Sequence, residues 1–156
     1  MSCEICPIIQ QPSHQERALR LIEGDYWRAT LRQADQSLLG TTFVTAKRHV
    51  PSLGELSQSE WNEFADINKR LERALMQSFG AAVINTSCLM NLAFRQPSPE
   101  PHVHLHLKPR YSSPVVVQGQ EFTDPHFGSY LDGHHPRQRV SDNLALNIVA
   151  IIQRNT

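Results

Sequence analysis

Apolar positions fall into runs of distinct period along this chain, and the periods predict its elements. After Ser57, residues Trp61, Phe64, Ile67, Leu71, Leu75 and Phe79 recur at steps of three and four. That is the stripe of a core-facing amphipathic helix of about five turns. Ser57-Gln-Ser-Glu60 supplies its capping box and Gly80 its stop. A second capping box, Ser13-His-Gln-Glu16, predicts a short helix running to about Glu23 and ended by Gly24. Asp25–Gln33 and the β-branched Thr41–Lys47 read as strands around a loop at 33–40. Val83–Ala93 reads as another strand. Pro97, Pro99 and Pro101 then mark a rigid, non-helical connection. His102–Lys108 alternates strictly, as a strand does. Val115–Val117 and Gln120–Thr123 predict a small hairpin around Gly119, Asp124–Gln138 a loop, and Ser141–Gln153 a final helix. Several strands and one long helix, without βαβ alternation, predict an α+β fold with an antiparallel sheet.

The composition narrows this picture. The chain's 156 residues are one domain's worth, 40% hydrophobic and 19% charged, which is an ordinary globular balance. Fifteen basic residues against fifteen acidic ones give a formal net charge of +0. There is thus no bulk field for nucleic acid or an anionic membrane, and any phosphate recognition must be local. No apolar run approaches the roughly 20 residues of a membrane span. The first residues, MSCEICPIIQ, lack the basic start and apolar core of a secretory signal, so a cytoplasmic location is expected. Cys3, Cys6 and Cys88 would stay reduced there.

Histidine is the feature that composition leaves unexplained, with 8 residues in all and three of them in Pro101-His-Val-His-Leu-His-Leu-Lys-Pro-Arg110. Period two places His102, His104 and His106 on one strand face, about 7 Å apart, with Val103, Leu105 and Leu107 on the other. Core filler does not look like this, because each polar ring would need a partner. Two chemistries use such a row. One is metal ligation by neutral imidazoles. The other is nucleophilic attack at phosphorus by one imidazole, with its neighbours stabilising the charge. Lys108 and Arg110 beside the row, and Asn91 on the preceding predicted strand, suit a phosphate substrate. His14, alone, reads as a surface residue, and His126, His134 and His135 as part of a solvated loop.

His102-Val-His-Leu-His-Leu-Lys108 resembles the motif of the histidine-triad superfamily of nucleotide hydrolases and transferases, with Lys108 in place of the last apolar residue. Gly40-Thr-Thr-Phe-Val-Thr-Ala-Lys-Arg-His-Val50 is similar to the family's strand and turn, and Asn91 stands where the family keeps Asn or Gln. The resemblance covers about residues 3–111. Val83–Arg110 is most similar to the diadenosine-polyphosphate hydrolase-like branch.

The resemblance implies a single histidine-triad domain over 1–156. Its core would be 3–111, with an antiparallel sheet of about five strands, a long helix and a C-terminal helix, and an extension over 112–156. It implies a homodimer and a nucleotide substrate. His104 would attack the α-phosphate and form a nucleotidyl-histidine, which water then cleaves. His106 would contact the phosphate, His102 would support the motif or bind metal, and Asn91 would hold the α-phosphate or the leaving-group oxygen. Gln33 stands at the family's nucleoside-sugar position. Ile5, Ile8 and Leu31 stand at positions lining the base pocket, with plain core packing as the other reading. Cys3-Glu-Ile-Cys6 is a C-x₂-C pair, either a metal half-site or a redox pair. His49 and His102 would complete a structural zinc site of a kind some bacterial members carry. No metal is required for the chemistry. Arg137 and Arg139 are candidates to reach substrate phosphates.

This chain departs from the family at Leu39-Gly40-Thr41, where Pro-Gly-His is common, and at Pro97 and Pro99, where a phosphate-binding Gly or Ser pair is common. Two further readings therefore stay open. One is a nucleotide-binding module without turnover. The other is a metal-dependent enzyme with the three histidines on one ion.

Overall fold

The computed structural model describes residues 3–130 and 136–156. Two short helices, α1 (Ile5–Gln10) and α2 (His14–Ala18), precede strands β1 (Arg20–Glu23), β2 (Trp27–Leu31) and β3 (Thr42–Ala46). The long helix α3 (Gln58–Phe79) leads to β4 (Val83–Cys88) and β5 (His104–Arg110). A hairpin, β6 (Val115–Val117) with β7 (Gln120–Phe122), and helix α4 (Asp142–Gln153) complete the order. The main sheet runs β1-β2-β3-β5-β4, and every neighbouring pair in it is antiparallel. This is the expected α+β architecture with its long and C-terminal helices.

Alternation along the strands divides the sheet into two faces. Trp27, Ala29, Leu31, Val44, Ala46, Leu105 and Leu107 are buried on one face, with Ile67, Leu71 and Leu75 of α3 and Ile148 and Ile152 of α4 in the same core. Thr30, Phe43, Thr45, His104 and His106 lie on the other. Cross-strand register aligns them, with Thr30 opposite Phe43, Phe43 opposite His106, and Thr45 opposite His104.

Both predicted capping boxes form. Ser57 and Glu60 bond reciprocally at the start of α3, as do Ser13 and Glu16 at α2. Glu60 is 3% exposed and is also held by Arg48 at 2.6 Å. Arg48 and its bonds at Ser57 keep the Glu60 carboxyl low, at about 2, against the opposing effect of burial.

Three boundaries differ from expectation, the first being the histidine strand, which runs His104–Arg110 rather than His102–Lys108 and leaves His102 just before it. The helix predicted to reach Glu23 ends at Ala18, and Arg20–Glu23 is instead the edge strand. Leu21 and Ile22 are buried there, and pairing with β2 outweighs local helix preference. The strand predicted over Val83–Ala93 ends at Cys88. Cys88 pairs with Leu105 near the start of β5, so the chain has no partner beyond that point and turns into a 3-10 helix over Asn91–Arg95.

The loop between β2 and β3 is rigid. The fully buried Gln36 donates through Nε2 to the Arg32 and Thr41 carbonyls at 3.0 Å. Its Oε1 accepts from the Gly40 amide at 2.7 Å. Gly40 has φ +83, and a Cβ there would lie 2.4 Å from Leu75 Cδ2, so the turn and the helix packing both require glycine.

Candidate active site and metal cluster

The three histidines share a strand face but not an environment. His102, just before β5, is 2% exposed. Its Nε2 lies 2.7 Å from the Ala46 carbonyl and so donates to it, which leaves Nδ1 as an acceptor. That Nδ1 faces Cys3 Sγ at 3.4 Å and Cys6 Sγ at 3.5 Å. His49 Nδ1 lies 3.4 Å from Cys6 Sγ. The ligand atoms of Cys3, Cys6, His49 and His102 all fall within 4.8 Å of one another. Two thiols and two imidazoles at such separations match the donor set of a tetrahedral structural zinc site, and the Ala46 carbonyl, by accepting from Nε2, holds the His102 ring with Nδ1 turned to the cluster. The cluster is compatible with structural zinc. Burial, followed by the neighbouring Cys3, pushes the Cys6 thiol up to about 11. Glu100 accepts the Cys3 amide at 2.9 Å and ties the N-terminal segment to the approach of β5.

His104 is half-buried and turns the other way. Its Nδ1 lies 2.8 Å from the His102 carbonyl. That carbonyl can only accept, so the ring proton sits on Nδ1 and the Nε2 lone pair is free. His106 shows the sharpest anomaly, because both of its ring nitrogens are buried with no hydrogen-bond partner among the described residues. Phe43 stacks edge-on against it at 4.6 Å, and the His104 ring lies 5.1 Å away. Burial first, then His104, Arg32 and Lys108, lower the His106 pKa to about 4. At neutral pH it is an uncharged imidazole whose two nitrogens solvent does not reach.

Two cavities meet at this row. The larger, about 490 Å³, is lined by Ile5, Ile8, Leu31, Gln33, Phe43 and His104 among others. The smaller, about 240 Å³, is bounded by His102, His104 and His106 together with Met90 and Leu92. The structure therefore brings together every residue expected at the base and sugar positions. Ile8 is 46% exposed while Leu31 is 2% exposed, so Ile8 offers surface and Leu31 backs the wall. Gln33 is engaged rather than idle. It accepts from Gln15 at 2.6 Å and donates to Asp142 at 2.6 Å and to the Val140 carbonyl at 3.1 Å.

Asn91 is exposed on the 3-10 turn, between two residues that line the smaller cavity. Arg139 lines the larger one. Arg110 is turned away, holding Asp124 at 2.5 Å. The zinc-type cluster does not include His104 or His106, so the three histidines do not converge on one ion. His134 and His135 lie outside the described residues.

Arg32, Phe43 and Glu100 were not apparent from the motif. Phe43 was detectable in principle, because pairing the two predicted strands in antiparallel register puts it opposite His106.

By sequence, neither a family model nor a curated protein matches the chain. By structure, its neighbours are consistently histidine-triad proteins. A hypothetical histidine triad nucleotide-binding protein from Sulfolobus tokodaii is 20% identical, with TM-score 0.68, over 98% of this chain and 91% of that one. A zinc-bound histidine triad family protein from Mycobacterium smegmatis is 22% identical, with TM-score 0.60, over 99% and 95%. A uridylyltransferase is 20% identical, with TM-score 0.64, over 98% of this chain and 46% of that one. The chain has the histidine-triad fold.

Proposed function

We propose that this chain is a histidine-triad nucleotidyl hydrolase. It would cleave at the α-phosphate of a dinucleoside polyphosphate or related nucleotide conjugate, in the diadenosine-polyphosphate hydrolase-like branch. The observation that carries this reading is the state of His104. Its Nδ1 proton is fixed on the His102 carbonyl, which leaves the lone pair on Nε2, and the residue lines both cavities. A neutral imidazole fixed in one tautomer is an activated nucleophile. In the first step the Nε2–P bond forms and the P–O bond to the leaving phosphate breaks. In the second, water attacks the same phosphorus, the N–P bond breaks, and imidazole is regenerated. His106, uncharged and without a hydrogen bond among the described residues, would turn a ring nitrogen to a phosphate oxygen when substrate binds.

Ile5, Ile8 and Leu31 line the proposed base side, and Gln33 stands at the sugar. Asn91 enters on the resemblance alone, as a leaving-group contact. Zinc at Cys3, Cys6, His49 and His102 would pin the N-terminal segment without entering the chemistry. The zinc-bound neighbour from Mycobacterium smegmatis supports that assignment. Among the described residues the outer edge of β4 has no strand beside it, which suits the proposed homodimer. Among the described residues no helix is long and apolar enough to cross a membrane, and the three cysteines are free. A cytoplasmic site of action is proposed on that basis.

The test is nucleotide release from diadenosine tetraphosphate by wild type and His104→Ala. A loss of about 10³-fold or more is expected when the nucleophile is removed. Binding without turnover in both proteins would instead establish a nucleotide-binding module. That second reading draws on Pro97 and Pro99, which are exposed and carry no backbone donor.

A further inference from the structure

Among the described residues, four arginines are buried or half-buried along this sheet, Arg20, Arg28, Arg32 and Arg110, and Arg20 is paired with Glu23 at 2.9 Å. Arg28 is bonded to Glu23 at 2.8 Å and to the Ile9 carbonyl at 3.1 Å. Arg110 holds Asp124 and the carbonyls of His126 and Ser129. Arg32 differs from both. Its nearest carboxylate is Asp35 Oδ2, 3.5 Å from Nη1, a separation too long for a strong charge-assisted bond. Asp35 is itself occupied, accepting through Oδ1 from the Ser37 hydroxyl at 2.8 Å. A guanidinium has five donors in a fixed fork, and Arg32 leaves most of them uncommitted among the described residues.

Its position is preorganised. The Arg32 amide donates to the Thr41 carbonyl at 2.9 Å, and its carbonyl accepts from the Asp35 amide at 3.0 Å. The guanidinium carbon lies 4.9 Å over the Phe43 ring. That ring is the one packed edge-on against His106 at 4.6 Å and His104 at 5.7 Å. Arg32 lines both cavities, as do Phe43 and His104, so it stands at their junction.

The site also needs a phosphate donor. Thr41, in place of an auxiliary histidine, is 3% exposed and its hydroxyl donates to the Leu38 carbonyl at 2.7 Å. Pro97 and Pro99 offer no amide. Burial, opposed by Asp35 and reinforced by the like charge of Arg137, lowers the Arg32 pKa. A desolvated cation without full counter-charge is stabilised by an arriving anion.

We propose that Arg32 is the phosphate clamp of this site, its guanidinium meeting the phosphate chain of the bound nucleotide where the two cavities join. The inference rests on the reading that these cavities take a nucleotide.

Calorimetry on the full chain tests it with three probes: adenosine, α,β-methylene adenosine triphosphate and inorganic tripolyphosphate. Arg32→Gln should weaken both phosphate probes by about 10- to 100-fold, the scale of a charge-assisted contact, and leave adenosine within about 2-fold. Arg32→Lys should restore part of the loss as a point charge without the fork. Unchanged affinity for the phosphate probes in Arg32→Gln overturns the proposal. A parallel loss for adenosine also overturns it, because the role would then be structural. Arg32-dependent binding by a wild-type protein that hydrolyses nothing removes the hydrolase reading alone. Hydrolysis that Arg32→Gln leaves intact removes the clamp alone. Wild type that binds none of the probes removes both.

Discussion

His102 and His106 stand four residues apart on one strand face and are in opposite states. His102 uses both ring nitrogens, one on the Ala46 carbonyl and one toward Cys3 and Cys6. His106 uses neither, although both are buried. Satisfied polar groups in a protein interior serve structure. An unsatisfied one is held there against a free-energy penalty. In the proposed reading the row joins a structural end, the zinc-type cluster, to a chemical end at the cavities, with His104 between them taking its tautomer from the His102 backbone.

The largest expected break in this comparison is at the structural end. Cys6→Ser should remove bound zinc, read by elemental analysis, and destabilise the fold by roughly 3–5 kcal/mol, the class of effect seen when a structural metal is lost. For a chain of this length that is a fall of about 10 °C in melting temperature. If the melting temperature does not move, the cluster is no structural anchor.

At the chemical end the sign of the stability effect reverses. His106→Leu should lower kcat/KM about 10²-fold while raising the melting temperature by a few degrees, because it removes a buried polar group that has no partner. A loss of both activity and stability would mean that His106 is structural after all.

The smallest effects concern acid. The His106 pKa is lowered to about 4 from its ordinary 6.5, so the unfolded chain binds the extra proton between those values. Stability should decline by roughly 1–2 kcal/mol as pH falls from about 6.5 to 4, solvent screening at the half-buried ring reducing the full linkage value, and His106→Leu should abolish that window. A second decline follows below about pH 4.5, where Glu60, held at about 2 chiefly by Arg48, becomes protonated in the unfolded state first. It should amount to roughly 1 kcal/mol, since Arg48 is 51% exposed and the pair is partly screened. Glu60→Gln should remove it, and denaturant titrations across pH check both windows.

Much of this was legible in the sequence. The stripe from Trp61 to Phe79 became α3, because a period near 3.6 with a capping box and a terminal glycine admits no other element. His104 and His106 became part of a strand with one apolar face, while His102 stands just before it. Short segments were less legible. Arg20–Glu23 carries a helical start signal, but its buried Leu21 and Ile22 pair with β2, a contact that only tertiary structure supplies. The segment after Cys88 stays apolar, so its sequence reads as a continuing strand after the partner has ended.

The sequence by itself determined that three imidazoles share one face, that Cys3 and Cys6 form a pair, and that a long helix covers the sheet. These are consequences of local period and spacing, which act within a few residues. Which imidazole is satisfied and which is left bare was decided by Cys3, Cys6, Ala46 and Phe43, residues far from the motif in sequence. The uncommitted state of Arg32 was decided the same way, by Asp35 lying too far and Phe43 lying close. Hydrogen bonding and desolvation depend on what packs against a group, and only the tertiary structure fixes that.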